Sequence, residues 1–407
     1  MTAETGADPA AGRPSAHLGW PITVLAAGQT LIWACLYYSY PALLVHWEAD
    51  LGWARTTLSA GITLAILASA AGAPLAGRLI DRGQGAALLG GSAVLGGAAF
   101  ASLALATAPW QFHAASLAVG LAFAGCLYEP CFALVTRARG AAAAGAIIRI
   151  TLIAGFAGTL SFPAMHMLAT ALDWRGAVMA AGTFAALAVA PLLWLGARAL
   201  EREAPPPPQP VRPRGAPPAR AFLRTARFWC LALGFACVAA VHGALLHHLL
   251  PLLDERGIEA DTAVLLAAGI GPMQVAGRLA LSASQGRAPM AAVATLSFAA
   301  MGSAVVVLWA AGSSLAALGL FVLCFGAAYG VTSIVRPIIA RDTLGDAAFG
   351  AKSGALAVPF LLAGAAAPYA GAALWRLGGY DAMLAVLLAL EAAAFVLYLA
   401  ARAAPAR

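Results

Sequence analysis

Long apolar runs, each closed by Gly, Pro or a charged residue, follow one another along almost the whole chain. Runs of about 20 apolar residues match the helix length that crosses a bilayer. The pattern predicts spans at 20–46, 56–76, 86–108, 111–135, 141–169 and 175–198, and then at 226–250, 261–281, 288–311, 313–340, 348–374 and 380–402. They are referred to in order as spans 1 to 12. Segment 199–224 interrupts them and contains EREAPPPPQPVRPRGAPPAR. Proline and charge at that density read as an extended, solvated linker. The expectation is an all-α membrane protein of twelve transmembrane helices in two six-helix pseudo-repeats around a central cavity. Tail 1–19, half 20–198, linker 199–224, half 225–402 and tail 403–407 follow in order.

Short internal matches support the duplication. AGRL at 76–79 recurs at 276–279, at the end of the second span of each half. GCLY at 125–128 faces GAAY at 326–329 in the fourth span of each half. Duplicated halves with a site at their interface are the design of many secondary transporters.

Composition removes the soluble alternatives. Of 407 residues, 62% are apolar and 10% charged, with mean hydropathy +0.85. An ordinary soluble domain carries about 25% charged residues. A soluble enzyme, a nucleic-acid binder and a disordered chain are therefore excluded.

The net charge of +7 reports topology instead. With the N-terminus in the cytoplasm, the opposite face holds only Arg55, Arg175, Arg256 and Arg376. Arg149 and Arg336 lie inside spans, and every other basic residue falls on the cytoplasmic side. That is a positive-inside pattern, and most Trp residues sit near span ends as an aromatic belt. Lys352 is the single lysine, and with abundant Ala, Gly and Arg the chain reads as bacterial. The expected location is a bacterial inner membrane, multi-pass, with both termini cytoplasmic. Residues 1–19 lack the order of a signal peptide, so span 1 is expected to be an uncleaved anchor. The six cysteines lie in apolar stretches without ligand spacing. No cofactor, metal or disulfide is expected.

GRLIDRGQG at 77–85 occupies the turn between spans 2 and 3. It resembles the loop signature of the major facilitator superfamily at Gly77, Asp81 and Arg82. It departs at Gln84, Ala86 and Ala87, where that family has Gly and basic residues. The resemblance implies gating by these residues: Gly for close helix approach, Asp81 for capping a neighbouring helix and pairing with Arg. The second copy, GRLALSASQG at 277–286, keeps Gly277 and Arg278 but has no Asp, so a latch would be asymmetric. DLGWARTTLSAG at 50–61, followed by GRLIDRG, is similar to the monocarboxylate and oxalate/formate carriers. Those carriers place a buried cation in span 8 or 11. Here span 8 reads as having none and Lys352 only starts span 11, so the substrate does not carry over. Span 5 lacks the Gly-Pro motif of drug–proton antiporters.

Glu129, Arg149, Arg336 and Glu391 lie well inside spans. A charge there costs about 2.5–3.5 kcal/mol on insertion scales, so each should face protein or a wet cavity. Glu129 and Arg149 fall at matching depth and can pair. The pair is either structural or holds a proton site whose partner is substrate-dependent. Phe325, Tyr329, Thr332 and Arg336 form one stripe of span 10, with Pro337 after it. Arg336 either lines the cavity or snorkels to the surface. Gln29, Trp33 and Tyr37 form a polar-aromatic stripe on span 1 that either contacts substrate or packs against neighbouring helices. His242 is a second proton-site candidate, whereas His247 and His248 are expected at the interface. Cys126 and Cys131 flank Glu129 but stand about 140° apart on a helix. Glu391 has no partner that the sequence identifies.

The expected function is secondary active transport of a small organic anion by alternating access, coupled to a proton gradient. No nucleotide-binding loop or enzyme motif is present. Export of a neutral or toxic compound, including a drug or metalloid, and a non-transporting sensor or scaffold are the alternatives. The expected partners are a small-molecule substrate and membrane lipid, with no nucleic acid, and the protein is expected to be a monomer.

Overall fold

The computed structural model describes residues 19–140, 143–204, 221–283, 289–345 and 349–403. Both tails and most of the linker expected at 199–224 lie outside them. Among the described residues every regular element is helical. The first half comprises α1 (Trp20–Ile32), α2 (Ser39–Leu51), α3 (Arg55–Asp81), α4 (Gly85–Ser102), α5 (Pro109–Cys126), α6 (Tyr128–Arg139), α7 (Ala143–Ala154), α8 (Ala157–Phe184) and α9 (Ala190–Glu203). The second comprises α10 (Ala226–Glu255), α11 (Ala260–Ala283), α12 (Met290–Ala310), α13 (Leu315–Leu344) and α14 (Phe349–Ala403).

Among the described residues ten stretches are long and apolar enough to cross a membrane. Two of them, Gly145–Glu203 at 59 residues and Gly354–Ala403 at 50, far exceed the roughly 20 residues that one crossing needs. Each reverses part-way. Asp173 adopts φ 63°, and its Oδ1 accepts a hydrogen bond from Gly176 N at 2.9 Å, capping the returning helix. Gly379, at φ 68°, turns α14 back where a side chain would be strained. Dividing the two stretches there gives twelve segments, in the order of the spans that the sequence pattern predicts. Large apolar side chains such as Leu105, Leu187 and Leu377 remain exposed on the outside of the bundle, as lipid-facing residues would.

The repeat is legible in the packing. A Cβ on Gly120 of α5 would lie 2.1 Å from Ala65 O of α3. A Cβ on Gly330 of α13 would lie 2.2 Å from Gln274 O of α11. In each half, therefore, the second and fourth spans meet backbone to backbone at a glycine.

One end of the bundle gathers the basic residues. Arg137 donates to Ile80 O, Arg139 pairs with Glu203 at 2.7 Å, and Arg227 donates to Thr343 O. This end is called the basic face. Asp81 and Arg82 are exposed there, and among the described residues Asp81 caps no helix. Glu201 does so instead, its Oε1 accepting from Ala86 N at 3.0 Å in the first turn of α4. Asp81 ends a helix rather than starting one, and a C-terminus is the wrong pole for a carboxylate. Nothing lies within 4 Å of a Cβ built on Gly77, so no close approach occurs there, whereas one on Gly277 would meet Ala327 O at 2.4 Å.

Candidate functional site

Two proline-linked irregularities build the first wall of the site. α1 gives way to a π-turn at Trp33–Tyr37, in which Tyr38 N donates to Trp33 O at 3.0 Å. Pro41 has no N–H to offer the Tyr37 carbonyl four residues back. The hydroxyls of Ser39 and Ser161 donate to Ala34 O at 3.0 and 2.7 Å, satisfying backbone that the turn loosens. The wider turn sets Tyr37 and Tyr38 beside Trp33, with ring centroids 4.8 Å apart for Trp33–Tyr37 and 5.4 Å for Tyr37–Tyr38.

The second irregularity separates α5 from α6 at Leu127 (φ −85°, ψ −158°). Pro130 cannot donate to Cys126 O, four residues back, and its ring would clash there. Gln29 Nε2 takes that carbonyl at 2.9 Å. Gln29 is thus fully buried against a helix break and does not face open space, contrary to its place in the expected stripe. The break brings Tyr128 against Trp33 at 4.6 Å and stacks it on Phe132 at 4.9 Å and 14°. It also leaves Glu129 exposed in the first turn of α6, where the helix dipole favours a negative charge. The expected Glu129–Arg149 ion pair is not formed among the described residues. Arg149 is half-buried on α7.

The second half supplies the facing wall. His242 of α10 lies flat on Tyr329 of α13, centroids 3.3 Å apart and planes 3° apart, with Phe325 at 5.5 Å. Thr332 does not join this surface. Its hydroxyl is buried, donates to Ala328 O at 2.9 Å and lies 2.8 Å from Ser297 Oγ. His247 and His248 are buried rather than interfacial: α10 continues to Glu255 and carries them inward. His247 touches Tyr37 of the other half edge-on at 5.8 Å, and His248 Nε2 lies 2.8 Å from Pro368 O.

Two arginines complete the site. Arg336 stacks on Phe360 at 4.0 Å, and its buried Nη1 has no hydrogen-bond partner among the described residues. α13 runs through position 337 to Leu344 without a break. Arg278 was expected as a gating residue on the cytoplasmic side, at the end of span 8. It lies in the last turns of α11 and crosses the interface: Nη1 donates to Thr151 O of α7 at 3.0 Å, and Nε to Gly330 O of α13 at 3.4 Å. Span 8 therefore does carry a half-buried cation. Arg278 holds the carbonyl of Gly330, the residue after Tyr329, and Arg336 lies about two helical turns beyond Tyr329 on α13. Neither arginine has a carboxylate in ion-pair contact among the described residues. Tyr37, Tyr38, Tyr128 and Tyr329 are each partly accessible beside the seam of the two halves, which makes this seam the candidate cleft. Sequence reasoning missed Tyr38 and Tyr128. A tyrosine two residues before Pro130 and two adjacent tyrosines ahead of Pro41 were the available signals. Glu391 is buried in α14, with neither carboxyl oxygen hydrogen-bonded among the described residues.

A second cluster joins the halves at the face opposite the basic one. Arg55, at the start of α3, donates Nε to both carboxylate oxygens of Glu48 (3.1 and 2.9 Å) within its own half. Its Nη1 reaches across to Glu255 at 2.9 Å and to the Tyr380 hydroxyl at 2.7 Å, and the guanidinium lies 4.0 Å from the Trp375 ring. His166 of α8 pairs with Asp261 of α11 at 2.9 Å at the same face.

The comparisons with known proteins fit this architecture. The family model described as Major Facilitator Superfamily matches residues 25–348. The chain belongs to the Major Facilitator Superfamily. It is a multi-pass membrane protein whose class of function is transport across the membrane. Its fold is similar to that of a bacterial homolog of the human lysosomal transporter Spinster, solved inward-facing and unoccupied, at TM-score 0.67 and 16% identity over 95% of this chain and 98% of that one. It is also similar to the nucleoside transporter NupG at TM-score 0.69 and 12% identity, over 95% and 99% of the two chains. No curated protein sequence matches it.

Proposed function

We propose that the protein is a secondary transporter of a small organic anion, working by alternating access and driven by a proton gradient across a bacterial inner membrane. The observation that carries this reading is the pair Arg278 and Arg336, half-buried cations that flank Tyr329 and lack a carboxylate in ion-pair contact among the described residues. Charge placed at that depth is expensive unless a counter-ion joins it. A substrate carboxylate is such a counter-ion, and Arg offers it a planar two-donor fork.

Glu129 is the candidate for the coupled proton: an exposed carboxylate that neighbours Tyr128 at the same wall. With the basic face cytoplasmic, the Arg55 cluster closes the outer side, and the state described is inward-facing. Solved in an inward-facing conformation, the Spinster homolog supports that assignment by analogy of fold.

The test is uptake into proteoliposomes of a panel of radiolabelled mono- and dicarboxylates, with and without an imposed pH gradient. At least one carboxylate should accumulate in a gradient-dependent manner. Arg336→Lys should reduce that uptake at least about tenfold although the charge is kept, since a lysine ammonium lacks the fork. Gradient-driven uptake of neutral solutes alone, unchanged in Arg278→Gln and Arg336→Gln, would overturn the anion reading.

A further inference from the structure

Resting on that reading, we infer that the anion carried is an aromatic one, a carboxylate attached to a flat ring, rather than an aliphatic acid. Aromatic side chains stay partly accessible on both sides of the seam. On the first-half side the accessible surface is Trp33, Tyr37, Tyr38 and Tyr128, continued by Phe132 stacked on Tyr128. On the second-half side it is Tyr329, backed by the flat His242. His242 covers one face of Tyr329 at 3.3 Å, while the tyrosine itself stays partly accessible, and five residues further along α10 His247 meets Tyr37 of the first half at 5.8 Å. Aromatic rings of both halves therefore meet at the seam.

Polarity along the cleft gives the ligand a direction. Toward the opposite face the walls meet where Tyr37 touches His247 at 5.8 Å. Toward the basic face they end at Arg278 and Arg336, which sit nearer the basic ends of α11 and α13. The four tyrosine hydroxyls have no hydrogen-bond partner among the described residues, and each can donate one bond to an acceptor. A ligand satisfying all of this has a flat apolar body between the walls and an anionic head toward the two guanidinium groups. An aliphatic dicarboxylate would leave the rings without a partner and set one charge among them. Ring-on-ring contacts add about 0.5–1.5 kcal/mol beyond the area they bury, and two walls offer at least two such contacts.

The experiment measures binding to the purified full-length protein by calorimetry with three probes of similar size: benzoate, cyclohexanecarboxylate and benzamide. Benzoate should bind about tenfold tighter than cyclohexanecarboxylate, the effect of one or two stacking contacts. It should also bind much tighter than benzamide, which keeps the ring and loses the charge. Tyr329→Leu should remove the preference for benzoate over cyclohexanecarboxylate. Tyr329→Phe, which keeps the ring, should retain it and serves as the check that the site is folded. Equal binding of benzoate and cyclohexanecarboxylate to the native protein overturns the aromatic inference and leaves the anion reading standing. Equal binding of benzoate and benzamide overturns the anion reading. Failure of benzoate to bind at millimolar concentration overturns the inference as well.

Discussion

Arg336 was legible in the sequence because a charge inside an apolar run is costly and needs a reason. Gln29 and Thr332 were misplaced by the same logic of helical stripes. Gln29 keeps the face it shares with Trp33, but the break between α5 and α6 covers that face: Gln29 takes Cys126 O where Trp33 meets Tyr128. A buried hydroxyl can also turn back to its own helix, as Thr332 does toward Ala328 O. The structure assigns Gln29 to the carbonyl that Pro130 frees, and this makes a prediction. Gln29→Leu should leave Cys126 O without its partner and cost about 1–3 kcal/mol. Detergent-solubilised protein should melt lower, while the ranking of bound ligands stays the same. An unchanged melting temperature would remove that role. Glu129 makes the complementary case. Glu129→Gln should abolish the pH dependence of flux and leave substrate exchange at equal pH on both sides intact. Loss of both together would place Glu129 in substrate binding or folding instead.

At the scale of elements, spans could be drawn because hydropathy and helix length constrain each other so tightly in a bilayer. The breaks inside them could not. Pro130 lies inside the unbroken span 4 of the sequence pattern, because whether a proline kinks a helix depends on what receives the freed carbonyl, and that partner lies on another helix. The superfamily-like turn shows the same limit. Asp81 was expected to cap a neighbouring helix, yet Glu201, distant in sequence, holds the first turn of α4. Glu201→Ala should therefore destabilise the first half by about 1 kcal/mol, as loss of a cap does. Asp81→Asn should leave stability within about 0.5 kcal/mol, the range of an exposed substitution. Thermal melts of the two variants side by side decide between them, and the reverse order would restore the cap to Asp81. The backbone contact of α5 with α3 is stricter. Gly120→Val would drive a side chain into Ala65 O, and overpacking of that kind costs about 1–3 kcal/mol. Lower yield of folded protein is the expected result.

At the scale of the whole molecule, the question is what holds the halves in the arrangement described. Arg55 keeps two kinds of partner. Glu48 belongs to its own half and would stay with it through any rigid-body movement. Glu255, Tyr380 and Trp375 belong to the other half and would have to be released. The contributions differ. Glu255 is 40% exposed at its side chain, so solvent screens that ion pair and its share is small. Tyr380 is 7% exposed and its hydroxyl bond to the guanidinium is charge-assisted, a class worth about 1.5–3 kcal/mol. Tyr380→Phe should thus shift the equilibrium toward a state open at this face by about tenfold, with Glu255→Gln adding less. Arg55→Ala is a poorer probe, because it also strands Glu48. The measurement is a distance distribution between spin labels at positions 107 and 259, exposed sites at this face on the two halves, in a background without cysteines. A longer distance should gain population in Tyr380→Phe and more in the double variant. A distribution identical to that of the parent protein in both would show that packing, such as the approach of Gly271 to Gly155, and not the Arg55 cluster, keeps this face shut.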